Sequence, residues 1–256
     1  MLGAIAGDVI GSVFEARPIK TVDFDLFSPR STFTDDTVLT VAAAWAILEN
    51  RDYGDAIKTF ARHYPGAGYG GTFYRWMQSD TQEPYGSWGN GSAMRVSPVG
   101  FAFDDAGTVL AEAEKTAAVT HNHPEGIKGA QATALAVFLA RRGRSKPEIR
   151  TEISDRFGYD LSRTLDGIRP GYRFDVSCQG SVPEAIIAFL ESSDYEDAVR
   201  KAVSLGGDSD TLACIAGGMA QAFYHTIPAP IVDETRKRLP GEFIDIVDRF
   251  QGRFPL

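Results

Sequence analysis

Apolar residues along this chain recur mostly three and four positions apart. Over 36–49, Val38, Leu39, Val41, Ala42, Trp45 and Leu48 stack on one side of a helix. The stretch 124–142 opens on Pro124, a residue favoured in a first helical turn. It runs through Ile127, Ala130, Ala134, Leu135, Val137, Phe138 and Leu139 to a close at Arg141-Arg142-Gly143. Being apolar on most sides, it is expected at the centre of the core. Segment 209–224 repeats the pattern with Leu212, Ile215, Met219 and Phe223. Shorter helices are predicted at 54–64, 106–119, 146–157, 182–191, 194–204 and 230–238, and both Ser145 with Glu148 and Ser181 with Glu184 read as capping boxes. Residues 1–14 read as a small, apolar first helix that Glu15 closes. Period-two alternation is confined to 171–177, where a loop serves as well as a strand. The predicted fold class is all-α. No Pro/Ser-rich linker, internal repeat or low-complexity tract divides the chain, so a single domain over 1–256 is expected.

Composition narrows the function classes. The 256 residues are 43% hydrophobic and 23% charged, ordinary for a globular protein with a sizeable core. The formal net charge of -8, with no basic run, argues against general binding to nucleic acid or to an acidic membrane surface. No apolar segment is long enough to span a bilayer. The N-terminal run has no basic leader and Asp8 interrupts it, so no signal peptide is read there. Cys178 and Cys214 form no metal-binding spacing and are expected to be reduced and buried. A cytoplasmic monomer is the resulting expectation.

Two acidic clusters carry the chemistry: Thr34-Asp35-Asp36-Thr37 and Asp208-Ser209-Asp210-Thr211. Each stands at the mouth of an apolar helix. Carboxylates are costly to bury without positive compensation, and two such clusters on one fold make a site for hard cations with oxygen ligands. Mg²⁺ or Mn²⁺ suits that donor set, whereas zinc would recruit His or Cys. Asp and Thr are also common N-caps that need no metal, and one cluster alone would be read so.

Three further features stand beside them. Glu15, between Phe14 and Pro18, is either a solvated helix end or an acid against an apolar wall. The run Trp88-Gly89-Asn90-Gly91-Ser92-Ala93-Met94-Arg95 reads as a ligand loop opening a helix, with free N–H groups for phosphate and Trp88 for a planar base. A plain Gly-rich turn capped by Ser92 is its alternative. His121 and His123, just before the central helix, are candidates for phosphate or polar ligand atoms, or simple loop histidines. Gly66, Gly68, Gly70 and Gly71 surround an aromatic-rich stretch that also allows backbone to approach a ligand.

In order, these pieces resemble the ADP-ribosylglycohydrolase family. The matching motifs are Gly3-Ala4-Ile5-Ala6-Gly7-Asp8 with Gly11 and Glu15, Thr34 to Thr37, Gly89 to Arg95, Thr120-His121, and Gly206-Gly207-Asp208-Ser209-Asp210-Thr211, which together span most of the chain. The resemblance implies an all-α orthogonal bundle with two Mg²⁺ or Mn²⁺ ions in a cleft. It implies metal ligation by Thr34, Asp35, Asp36, Asp208, Asp210 and Thr211, and a catalytic carboxylate in Glu15 or Asp36. Ser87 to Gly91 match the family's phosphate loop, with Ser92 and Met94 further along the same motif. Trp88 falls where an aromatic faces adenosine, and His121, with His123 less closely matched, lies on the ligand side. The implied reaction is cleavage of the C1″ bond of an ADP-ribosylated protein or an ADP-ribose derivative, with the ions on the distal-ribose hydroxyls and a carboxylate activating water. Linkage is expected to be set by loops 15–33, where Phe24, Phe27 and Pro29 are candidate lid residues, and 66–76. The position of Glu15 favours an O-linked substrate, with an arginine-linked one as the alternative. A catalytically silent ADP-ribose-binding protein of the same fold and a metal-dependent nucleotide phosphoesterase are the rival readings.

Overall fold

A computed structural model describes residues 1–256. The first helices are α1 (Leu2–Gly11), α2 (Asp35–Glu49), α3 (Tyr53–His63), α4 (Gly71–Gln78) and α5 (Gly91–Met94). The middle of the chain forms α6 (Ser97–Ala102), α7 (Ala106–Ala118), α8 (Pro124–Arg141), α9 (Lys146–Phe157) and α10 (Leu165–Ile168). The remainder is α11 (Cys178–Leu190), α12 (Tyr195–Val203), α13 (Ser209–Tyr224), α14 (Ala229–Arg236) and α15 (Gly241–Arg253). There is no sheet; one isolated bridge joins Gly89 to Ser177. The all-α expectation holds. Most starts follow from side-chain caps: Thr34, Asp52, Asp105, Ser145, Ser177 and Asp194 each accept a backbone N–H of the following turn.

The centre of the molecule is the antiparallel crossing of α1 and α13. Every residue of α1 is buried, as are residues 209–222 of α13. Gly3, Gly7 and Gly11 lie four apart and so share one face of α1. A Cβ at Gly7 would stand 2.1 Å from the carbonyl oxygen of Ala213, and one at Gly11 would stand 2.4 Å from that of Ser209. The two backbones therefore touch, which no larger residue would permit. Consequently the C-terminal end of α1 abuts the N-terminal end of α13. Around this pair, α8, α11 and α12 close one side and α2, α6 and α15 the other, in one continuous core.

Several boundaries differ from the sequence reading. The first helix stops at Gly11, and Glu15 lies beyond a turn in which Phe14 N donates to Gly11 O. Ser145 and Glu148 form the expected capping box, but Ser181 and Glu184 do not. The helix there begins earlier, with Ser177 as its cap; Ser181 is buried inside it, donating to Asp175 O and Ser177 O, and Glu184 pairs with Arg163. The upstream extension is tertiary in origin: Cys178 N donates to Trp88 O and Asn90 N to Val176 O, fixing the approach to the helix. The alternating 171–177 run is a loop whose last residue makes the single bridge. Helices α4, α6, α10 and α15 were not predicted, and α5 is the short helix that the 88–95 run was read as opening.

Candidate metal centre and ligand cavity

The α1–α13 crossing decides where the acids meet. Glu15 follows the end of α1, while Asp208 and Asp210 stand at the start of α13. Their carboxylate oxygens lie within 4.8 Å of one another. The second cluster arrives through Asp8, a fully buried acid on α1. Its carboxylate accepts from Thr34 N at 2.9 Å, Thr34 Oγ at 2.7 Å, Thr37 N at 3.1 Å and Thr37 Oγ. Four donors offset the burial of one charge and anchor the N-terminus of α2 to α1. Thr34 Oγ also caps α2 by accepting from Asp36 N. Thr211 Oγ donates to Asp36 Oδ2 at 3.4 Å, linking the clusters directly. Two helix N-termini thus point their positive ends at one carboxylate group.

These acids line a cavity of about 470 Å³. Glu15, Thr34, Asp35, Asp36, Asp208, Asp210 and Thr211 all face it. No Lys or Arg pairs with any of the carboxylates, and Asp36 Oδ1 is buried without a hydrogen-bond partner. Burial pushes Asp8 up to about 6 and Asp35 up to about 8, the latter with help from Asp8 and Asp208. Asp36, Asp208 and Asp210 are likewise raised, first by burial, and Asp36 and Asp210 also by their acidic neighbours. Glu15, exposed at the rim, is raised by partial desolvation and by Asp208. A group of buried carboxylates without counter-charge, one of them orphaned, fits an all-oxygen divalent cation site.

The rest of the lining is rich in glycine. Ser87, Gly89, Asn90, Gly91, Met94 and His121 line the cavity, as do Gly68, Gly70, Gly71, Thr72 and Phe73. Asn90 ties this loop to the acids: its amide donates to Asp208 Oδ2 at 2.7 Å and to Ser181 Oγ at 3.1 Å. Gly89 N donates to Ser87 Oγ, and Cys178 Sγ donates to Gly89 O. A Cβ at Gly91 would stand 3.1 Å from His121 Nε2, so glycine is required for the ring to reach the loop.

Three candidate ligand residues lie elsewhere. Trp88 is exposed and outside the cavity lining. Ser92 is fully buried, its hydroxyl donating to Gly126 O at 2.7 Å. His123 is exposed and caps α8, its Nδ1 accepting from Glu125 N. Phe24 and Phe27 do not form a lid: Phe24 packs on Phe14 under Arg200, and Phe27 lies under Arg238. Sequence reasoning gave no role to Asp8, Arg95, Tyr85, Phe174 or Val176. Asp8 had a signal, a lone acid in an otherwise apolar helix. Phe174 and Val176 belong to the alternating run and stand exposed beside the cavity.

An all-helical fold that brings two acidic helix N-termini and a glycine-rich loop to one cavity is suited to a metal-dependent hydrolase. The sequence profile of the ADP-ribosylglycohydrolase family matches residues 1–255, and the chain belongs to that family. It is thus a hydrolase acting on glycosidic bonds, within a family whose members depend on metal. It is 29% identical to ADP-ribosylhydrolase ARH3 of Bos taurus, across 88% of this chain and 83% of that one. The Homo sapiens protein of the same name is also 29% identical, across 88% and 84%. Among solved structures, an "ADP-ribosylglycohydrolase-related protein complex" superposes with a TM-score of 0.76 at 23% identity, covering 98% of this chain and 95% of that one, a likeness of fold. No helix is long and apolar enough to cross a membrane.

Proposed function

We propose that the protein releases ADP-ribose from ADP-ribosylated side chains or from O-acetyl-ADP-ribose by hydrolysing the C1″ glycosidic bond, with two Mg²⁺ or Mn²⁺ ions. One observation carries this reading: carboxylates without counter-charge converge in a single cavity that a glycine-rich loop also lines. The family membership and the ARH3 relatives support it. Thr34, Asp35, Asp36, Asp208, Asp210 and Thr211 would hold the ions, which supply a clamp on the distal ribose and charge stabilisation.

The remaining work falls to the chain. In the 87–91 loop, Gly91 N and the Ser87 hydroxyl are donors left free for the diphosphate, the N–H groups of Ser87, Gly89 and Asn90 and the Asn90 amide being engaged within the protein, and a diphosphate there places the distal ribose toward the acids. Departure of the leaving group develops positive charge on C1″, and the fixed carboxylates favour that charge over the neutral ground state. A carboxylate takes a proton from the attacking water, whose oxygen bonds to C1″, and a proton is returned to the departing oxygen or nitrogen as its bond to C1″ breaks. Asp36 is the buried candidate, oriented by Thr211; Glu15 is the rim candidate, within reach of Asp208 and Asp210. The rim position of Glu15, beyond the helix end, leaves space for an O-linked leaving group beside it.

Mass spectrometry of products from serine-linked and arginine-linked ADP-ribosyl peptides and from O-acetyl-ADP-ribose, with Mg²⁺, Mn²⁺ or EDTA, tests the proposal. Metal-dependent release of free ADP-ribose is the expected result. Release of phosphate or AMP would identify a phosphoesterase instead, and tight ADP-ribose binding without turnover of any substrate a silent binding protein. Full turnover by both Asp36→Asn and Glu15→Gln, with metal still bound, would overturn the mechanism.

A further inference from the structure

Arg95 is the one Lys or Arg side chain that lines the cavity, and it is completely buried. It touches none of the carboxylates by hydrogen bond. Its Nη2 donates instead to Thr116 O at 2.7 Å and to Thr120 Oγ at 3.0 Å, and its Nε and Nη1 have no protein partner. Thr120 Oγ in turn lies 2.7 Å from His121 Nδ1. On the other side of that ring, Nε2 has no protein partner and faces Gly89 and Gly91 of the loop.

A guanidinium can only donate, so Thr120 Oγ accepts from Arg95. The hydroxyl hydrogen of Thr120 must then find an acceptor of its own, because a buried unpaired donor is costly. His121 Nδ1 stands at hydrogen-bonding distance with a lone pair. Were Nδ1 the donor, Thr120 would receive two hydrogen bonds and leave its own hydrogen without that partner. Burial pushes the neighbouring Tyr85 phenol up to about 12, so it stays protonated. Burial, and then the neighbouring Arg95 charge, hold His121 well below its ordinary range, so the ring is neutral at pH 7. A neutral imidazole that accepts at Nδ1 carries its proton on Nε2.

We infer that Arg95 and Thr120 are positioning residues that lock His121 as the neutral Nε2–H tautomer, aiming a fixed hydrogen-bond donor at an anionic oxygen held by loop 87–91. The inference deepens the proposed function by assigning the donor that meets the ligand's diphosphate. It also explains why a cation is buried near the acids without pairing to them. Arg95 polarises Thr120 and keeps the ring neutral, while the ring, not the guanidinium, meets the ligand.

The test is ¹⁵N NMR of the imidazoles in the Mg²⁺-loaded protein at pH 7. Of the four histidines, His121 is assigned with His121→Gln. The expected spectrum shows His121 with an unprotonated Nδ1 and a protonated Nε2. Thr120→Val should mix the tautomers and weaken ADP-ribose binding about ten-fold, the scale of one hydrogen bond to a charged group. Thr120→Ser should restore both. A proton on Nδ1, as when Thr120 donates to Tyr85, or a doubly protonated ring, overturns the inference. So does a Thr120→Val spectrum identical to the parent. If the spectrum is as expected but ADP-ribose does not bind even the parent, the tautomer assignment stands and the ligand reading fails. Should Thr120→Val not fold, Arg95→Lys provides the second variant, with a detectable change in the Nδ1 signal expected.

Discussion

The two acidic clusters share a sequence pattern and a place at the start of a helix, yet they are supported in different ways. At α2 the hydroxyls do the structural work: Thr34 caps the helix, and both Thr34 and Thr37 bind the buried Asp8. At α13, Asp208 makes no side-chain cap to its own helix and is held from outside by the Asn90 amide. One cluster is braced by an acid that never reaches the cavity. The other is held from its side by the glycine-rich loop. Both clusters turn their carboxylates to the cavity, so similar motifs differ in what braces them and not in what they face.

That contrast can be broken from either side. Asp210→Asn should lower turnover about a thousand-fold, the scale for loss of one electrostatic group at a reacting centre, with kcat measured at saturating Mg²⁺. In EDTA the same variant should unfold at a higher temperature than the parent, since it removes a buried charge with no counter-charge. A lower midpoint would show that the carboxylate is already compensated. Asp8→Ala should do the reverse, costing about 3 kcal/mol in urea unfolding with or without metal, because four buried donors lose one acceptor. A cost under about 1 kcal/mol would mean that other contacts hold the start of α2.

Titration offers a subtler comparison. Between the ordinary carboxyl value of 3.8 and the folded values of about 6 for Asp8 and about 8 for Asp35, the folded chain binds more protons than the unfolded one. Stability in EDTA should therefore fall as pH rises from about 4 to 8, and saturating Mg²⁺ should remove the slope. Thermal midpoints across that range measure it, and a flat EDTA profile would contradict the uncompensated-acid account. The smallest effect belongs to the cap: Thr34→Ala should cost about 1 kcal/mol, with Thr34→Ser recovering most of it.

Helices with a wide apolar face were legible in the sequence, 209–224 to the residue, and the mostly polar 146–157 was as legible through its capping box and early Pro147. The 241–253 helix carries Phe243, Ile246, Val247 and Phe250 at the same spacing, so its signal was present but unread. Helix α5 has a single turn, too short for periodicity to show. The acids of the site were legible because buried carboxylates beside apolar runs are conspicuous. The functions of Asp8 and Thr120 were not, since each depends on a partner that only the fold supplies. Ser92 and His123 show the opposite failure: motif position pointed at a ligand, and local hydrogen bonding claimed both side chains for the scaffold.

The backbone-to-backbone contact of α1 with α13 also sets a timetable for synthesis. Gly3 meets Gly217, so the first helix can meet the start of α2 early but lacks its main partner until the chain is nearly finished. At roughly 5–20 residues per second, that wait lasts about 10–40 s. Three glycines in ten residues make α1 a poor helix alone. A nascent chain thus carries an unformed apolar segment for most of its translation, a natural target for chaperones, and the acids that line the cavity come together only in the last stage of folding.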